Sequence, residues 1–448
     1  MNRLRAAACG IALLLCATGT AGQEAFSKNE FAGRRARLFE QVGGGVAVVF
    51  GADRNDAAPV KFRQAPDFFY LTGIEEPGLV LVMNGQTKQT LVFANPRSPN
   101  QIMLEGPGLL ERADAKETYG IDQLLPMDQV NIVLWNQAAT AQRLYLPLSL
   151  EDNLQQSRNE VRASSVAMMD HPLYHASSPV QQATEHIRSL VPQVPVADLA
   201  PLMTALRVVK SPYEIERMRR AATIGAAAVK EAIKGTHAGE YEYELQAAAT
   251  FVTTKAGAGL AFKPIAASGP NSVAQHYEAN NRRMQAGDVV LLDFGADYDY
   301  YTSDVTRTWP VSGRFTGEQE KMYRCVLEAS KTIIAMMKPG VTITQMQQAA
   351  LDVYRRHGFD KEFEADRRYV GHYVGMSVHD VNPGADAPLQ SGATFNDEPL
   401  LTFNDKMIHI RLEDTVLVTP NGAENLTKDV PVEPDEIYAL IRQKGIGQ

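Results

Sequence analysis

Leu291-Leu292-Asp293-Phe294-Gly295-Ala296 is an apolar strand interrupted by an acid. Shortly after it, Tyr300-Tyr301-Thr302-Ser303-Asp304-Val305-Thr306-Arg307-Thr308 places a second acid at the start of another strand-like run. A hairpin between the two brings Asp293 and Asp304 side by side. A carboxylate is costly to bury in so apolar a setting unless a positive charge meets it. Two readings satisfy that demand: an ordinary salt bridge, with Arg307 at hand, or a metal ion.

Three residues further along favour the metal. Glu398 follows the strand-like Thr394–Asp397, and Glu413 falls in the alternating run Ile408–Val418, where Arg411 shares its face because strand side chains repeat every two residues. His372 lies in Val370-Gly371-His372-Tyr373, among apolar residues and glycine. Four carboxylates and an imidazole gathered in one place would shift toward protonation unless cations neutralise them. Two divalent ions bridged by carboxylates meet that need. Oxygen-rich ligands with a single histidine suit manganese, with cobalt or zinc as alternatives, rather than a thiolate-seeking metal.

The chain of 448 residues is longer than one hydrophobic core usually supports, and its 45% hydrophobic and 21% charged content is that of a soluble globular protein. Residues 26–195 mix a helical stretch, Phe31–Gln41, with short β-rich runs such as Val46–Phe50 and Leu79–Met83 between turn signals, which predicts an α/β domain. Residues 205–430 form the second expected domain. Ser211-Pro212-Tyr213-Glu214 opens it with a capping serine, proline at the first helical position and an acid placed to reach back; that helix ends near Gly235 and another covers Glu242–Lys255. The same order recurs when Thr316 caps a helix running toward Pro339-Gly340 and Thr344–Arg356 forms the next. A helix-helix-strands unit used twice predicts a duplicated domain with a site between its halves. The class is therefore α+β in two domains, with residues 431–448 as a C-terminal tail.

At the N-terminus Arg3 and Arg5 precede an apolar run from Ala6 to Ala17, and small residues follow to Gly22. This is the layout of a signal peptide over residues 1–22, since the run falls short of the roughly 20 residues that span a bilayer. The expectation is an exported protein, periplasmic or secreted, with no stable membrane anchor. Cys9 and Cys16 lie in that segment, leaving Cys325 among Met322, Val326, Ala329 and Ile333 at the spacing of a helix facing a core. With 52 acidic against 44 basic residues and no long basic run, nucleic acid is not an expected partner. A homo-oligomer is compatible with this composition but not specified by it.

In order and approximate spacing, Asp293, Asp304, His372, Glu398 and Glu413 resemble the five metal ligands of the pita-bread metallopeptidases, the group of Xaa-Pro aminopeptidase (aminopeptidase P), prolidase and methionine aminopeptidase. The resemblance extends to Ala267–Ser272 with His276 beyond it, to Val378-His379-Asp380-Val381, and to Phe62–Gly73, FRQAPDFFYLTG, which looks like the N-terminal domain shared by aminopeptidase P and prolidase. It implies an N-terminal creatinase/aminopeptidase P-type α/β domain and a C-terminal pita-bread catalytic domain with pseudo-twofold duplication. Carried over, Asp293 holds one metal, His372 and Glu398 hold the other, and Asp304 and Glu413 bridge. A metal-activated hydroxide attacks the scissile carbonyl, and Glu398, His276 and His379 are the implied catalytic side chains. The implied activity is removal of the N-terminal residue from peptides with proline second. Prolidase action on Xaa-Pro dipeptides is the nearest alternative; a metal-free creatinase-like hydrolase or a non-catalytic binding protein is one of another class.

Two departures from the family pattern stand out. Arg368 occupies the place four residues before His372 where relatives usually carry another histidine. If the segment is extended, Arg368, Val370 and His372 share a face, and the arginine becomes a candidate for binding a substrate carboxylate, as does Arg411. Glu398-Pro399-Leu400-Leu401-Thr402 stands where Glu-Pro-Gly-x-Tyr is common, losing a tyrosine hydroxyl near the site. The other histidines are expected in surface or packing roles: His171 and His175 in a loop, His237 in a turn, His186 and His357 on helices, and His409 as an outward neighbour in its strand.

Overall fold

The computed structural model describes residues 28–53, 61–173 and 175–446. The expected signal segment lies outside them. The chain folds into two domains of mixed helix and strand. The first is built on a six-stranded sheet of β1 (Val46–Phe50), β2 (Val80–Asn84), β3 (Gln89–Ala94), β4 (Gln123–Pro126), β5 (Leu144–Leu146) and β6 (Val196–Asp198), in the order β4-β3-β2-β1-β5-β6. β1 is antiparallel to β2 and β2 to β3, whereas β4, β5 and β6 join in parallel. β1 reads as an unbroken apolar run because both its faces are covered. Ala47 and Val49 pack with Phe31 and Leu38 of the helix Lys28–Val42, while Val46 and Val48 pack with Leu134 and Ile187 on the other side.

The second domain begins with the helix Pro212–Ile233, whose start carries the full reciprocal cap between Ser211 and Glu214. It is followed by the helix Glu242–Lys255 and the strands β7 (Gly259–Leu260), β8 (Ile265–Ser268), β9 (Val289–Phe294), β10 (Ala296–Tyr298), β11 (Tyr301–Thr302) and β12 (Val305–Pro310). β9 lies between β8 and β12, antiparallel to both, and Thr306 faces Asp293 across the β9–β12 ladder. The residues between β9 and β12 make the β10–β11 hairpin of a separate small sheet with β7.

The pattern then repeats. Helices Gly317–Met336 and Ile343–His357, each started by a threonine in a capping box, lead through the short helix Asp360–Ala365 to β13 (Gly371–Tyr373), β14 (Thr394–Asp397), β15 (Leu400–Phe403), β16 (Ile408–Arg411), β17 (Asp414–Thr419) and β18 (Gly422–Asn425). β13, β14, β17 and β18 form one antiparallel sheet, and β15 pairs with β16. The two halves meet where Thr306 and Glu413 exchange backbone hydrogen bonds of 3.3 and 3.1 Å.

The shared core includes fully buried Trp309, Tyr323, Val326 and Ile333, with Cys325 as a buried free thiol among them. Residues placed in a tail by sequence form the helix Pro434–Ile441, which closes that core through Ile437 and Tyr438. Among the described residues no helix is long and apolar enough to cross a membrane.

Candidate functional site

The junction between the two half-domains gathers Asp293, Asp304, His372, Glu398 and Glu413. Asp293 is the fifth residue of β9, Asp304 immediately precedes β12, His372 is the middle of β13, Glu398 follows β14, and Glu413 sits between β16 and β17. All four carboxylates are buried. His372 donates from Nδ1 toward the Tyr373 carbonyl oxygen at 3.0 Å, which turns Nε2 to the acids. Nε2 lies 3.6 Å from Asp304 Oδ2, 3.7 Å from Glu398 Oε2 and 3.7 Å from Glu413 Oε1, too long for hydrogen bonds.

Neighbouring hydroxyls and amides hold these groups. Glu413 accepts from Thr306 Oγ1 on one oxygen and from Asn396 Nδ2, at 2.6 Å, on the other. Thr415 Oγ1 accepts from the Asp304 backbone nitrogen at 2.9 Å and lies 3.0 Å from Asn396 Oδ1. Arg411 spans the far side, its Nη2 2.6 Å from Asp293 Oδ2 and its Nη1 3.1 Å from Glu398 Oε1. The salt-bridge partner of Asp293 is therefore Arg411. Arg307 instead pairs with Asp414 at 2.8 Å.

The electrostatics follow from burial. Burial pushes Asp293 up to about 6 against the pull of Arg411. Burial and the charge of Glu413 push Glu398 up to about 8 and raise Asp304 as well. Glu413 goes the other way: burial opposes its charge, but the nearby His372 imidazole and the charge of Arg411 hold it down at about 2. His372 is raised despite burial, by its interactions with Asp304 and Glu413.

One guanidinium and one imidazole leave this cluster short of positive charge. Among the described residues, Asp293 Oδ1 and Asp304 Oδ1 are buried with no hydrogen-bond partner, and coordination to a metal ion would satisfy them. Asp304, His372 and Glu413 present ligand atoms mutually within 4.8 Å, so the donor set fits an oxygen-preferring divalent cation.

His379 joins the site, its ring perpendicular to that of His372 with centroids 4.4 Å apart. Its Nδ1 is 2.9 Å from Glu160 Oε2 of the N-terminal domain; burial notwithstanding, this contact holds Glu160 down at about 2. His276 is exposed on the loop beyond the turn Gly269–Val273, and among the described residues it makes no hydrogen bond with the carboxylates.

Arg368 is not where the extended reading placed it. Arg367 and Arg368 both take left-handed backbone conformations, φ 60° and 55°, turning the chain at the end of the helix Asp360–Ala365, and the strand begins only at Gly371. The exposed Arg368 side chain pairs with Glu364. His409 departs too: it is buried, with Nδ1 2.9 Å from Thr402 Oγ1, because the β15–β16 ribbon is covered on both faces and the turn at Ser272 packs onto it. Burial and Arg411 lower His409 to about 3.

Sequence reasoning did not find Glu160, Thr306, Asn396 or Tyr369. Burial and the charge of Glu398 together raise the Tyr369 hydroxyl. A capping-box spacing, Ser157 to Glu160, was the readable signal for the first of these.

The family model for metallopeptidase family M24 matches residues 216–420, and that for the aminopeptidase P N-terminal domain matches residues 31–145. The chain is 30% identical over 441 residues to the mitochondrial intermediate cleaving peptidase 55 of Arabidopsis thaliana, covering 92% of this chain and 82% of that one. The chain belongs to metallopeptidase family M24.

This M24 metallopeptidase is also 29% identical to the Xaa-Pro aminopeptidase of Escherichia coli, covering 93% and 98% of the two chains. Its structure matches E. coli aminopeptidase P with the inhibitor Pro-Leu at a TM-score of 0.78 and 28% identity, over 93% of this chain and 98% of that one. The two-domain aminopeptidase P fold is thus common to both. In M24 terms, the clustered acids and His372 are a metallopeptidase's candidate metal group.

Proposed function

We propose that the protein is a dinuclear exopeptidase that removes the N-terminal residue from peptides with proline second. The observation that carries this reading is the buried cluster of four carboxylates, three of them within 3.7 Å of His372 Nε2, in which Asp293 and Asp304 each keep an oxygen without a hydrogen-bond partner among the described residues. Asp293 would hold one cation, His372 and Glu398 the other, with Asp304 and Glu413 shared; manganese is the first choice, cobalt or zinc the others. When bound, such ions polarise a scissile carbonyl and bring the pKa of water toward neutrality.

The chain's own residues supply the rest. Thr306 and Asn396 fix the Glu413 carboxylate, and Arg411 holds Asp293 and Glu398 apart and oriented. Glu398 would take a proton from water and pass it to the leaving amine, and His379, beside His372, would hydrogen-bond the substrate. The exposed His276 would reach the same region from its loop once a peptide is bound. A site for an Xaa-Pro bond needs no acceptor for a backbone N–H at that bond, because proline has none. Arg3, Arg5 and the apolar run after them support export, where peptides are the partners expected. The test is cleavage by the metal-loaded mature protein of an Xaa-Pro tripeptide against an otherwise identical Xaa-Ala tripeptide; equal rates on the two would sink the assignment.

A further inference from the structure

The loop that carries His379 belongs to the catalytic domain, yet most of its consecutive residues are held from outside it. Arg63 Nη2 donates to the Met376 carbonyl at 2.7 Å, Ser377 Oγ donates to Asp152, and the Val378 nitrogen donates to the Leu154 carbonyl at 3.0 Å. His379 Nδ1 meets Glu160 Oε2 at 2.9 Å. Asp380 is taken by Arg207 at 2.6 Å and Lys210 at 3.0 Å, and Arg207 also binds Asp67 and Asp152, each at 2.7 Å.

Glu160 is itself fixed. It is the third residue of the helix Arg158–Met169, and its Oε2 accepts from the Ser157 nitrogen and hydroxyl, both at 2.7 Å. A carboxylate pinned in this way presents one acceptor in one place. Its bond to Nδ1 sets both the tautomer of the His379 imidazole and the plane in which its other nitrogen lies. That plane is perpendicular to the His372 ring at 4.4 Å.

We propose that Glu160 is a positioning residue through which the N-terminal domain orients His379 over the candidate metal centre, so that the active site is completed by both domains. The proposal rests on the peptidase reading for its consequence but not for its geometry. Glu160→Gln keeps the side-chain half of the capping box and a hydrogen-bond acceptor; Glu160→Ala removes both and leaves only the Ser157 hydroxyl accepting from the backbone nitrogen of residue 160.

The experiment is a long-range proton–nitrogen spectrum of the full chain labelled with 15N-histidine, metal-free and zinc-loaded, with His379 assigned by His379→Ala. Turnover of an Xaa-Pro peptide is measured on the same proteins. His379 should show the Nδ1-protonated pattern in the wild type and in Glu160→Gln, and lose it in Glu160→Ala. In turnover, Glu160→Ala should lower kcat roughly 10- to 100-fold, the range for second partners of active-site histidines, with Glu160→Gln recovering most of the loss. Adding Glu160→Ala to His379→Ala should cost nothing further.

An unchanged His379 pattern in Glu160→Ala would overturn the proposal, as would a loss that simply adds to that of His379→Ala. A wild type inert on Xaa-Pro peptides would remove the peptidase reading, and the spectrum would still decide on Glu160.

Discussion

Arg411 Nη2 lies 2.6 Å from Asp293 Oδ2, so the carboxylate that interrupts the apolar strand β9 is met by a guanidinium two residues before Glu413. The same side chain reaches Glu398 at 3.1 Å. Arg411 thus serves as the fixed cation of a site otherwise dominated by acids, and its own charge is stabilised by them against burial.

Replacing Arg411 by methionine should destabilise the metal-free protein by about 3 kcal/mol, because two buried carboxylates lose their partner. Added divalent cation should narrow the gap to wild type. Denaturant unfolding with chelator and with excess manganese checks both statements; a penalty unaffected by cation would mean that Arg411 and metal act on different groups.

Thr306→Val keeps shape and removes the hydroxyl that donates to Glu413. The expected outcome is a 10- to 100-fold loss of metal affinity, as for other groups that orient ligating carboxylates. Calorimetric titration of the metal-free protein measures it, and an affinity equal to wild type would show that Glu413 needs no such support.

The metal-free protein should lose stability as pH rises from about 4.5 to 8. Asp293 at about 6 and Glu398 at about 8 lie above their ordinary values, so the fold holds more protons than the unfolded chain across this window. The raised His372 acts in the same direction, its stabilisation being lost as pH climbs through its folded value. Glu413, held at about 2, contributes stability above the ordinary carboxylate range that disappears only as pH falls toward 2. Cation affinity should run oppositely and strengthen over the same window, because ligands must shed their protons. Melting curves with chelator and with metal, taken at several pH values, should therefore diverge as pH rises; parallel curves would contradict this.

Arg368→Ala should leave the Michaelis constant unchanged for peptides with free or amidated C-termini, since Arg368 is exposed and engaged with Glu364. A rise confined to peptides with a free carboxylate would return Arg368 to the substrate site.

The acidic cluster was legible because its residues violate their surroundings: acids inside apolar strands ask for a cation wherever they are found. The two capped helix pairs were legible because Ser211, Glu214 and Thr316 act within a few residues of themselves. His409 was misread because alternation along β16 says which side a residue faces, not whether that side is covered, and this ribbon is packed on both. Arg368 was misread because its left-handed turn is made by two arginines, where glycine or asparagine would have signalled it. Glu160 meets His379 across a separation of 219 residues and a domain boundary, which no local pattern records.

The measurement that reaches the central claim most directly is release of the N-terminal residue from an Xaa-Pro tripeptide as manganese is titrated into the metal-free mature protein. The account predicts no turnover in chelator, activity that rises with added ion, and a plateau at two equivalents per chain. Full turnover in chelator, or none at saturating manganese, cobalt or zinc, would contradict it.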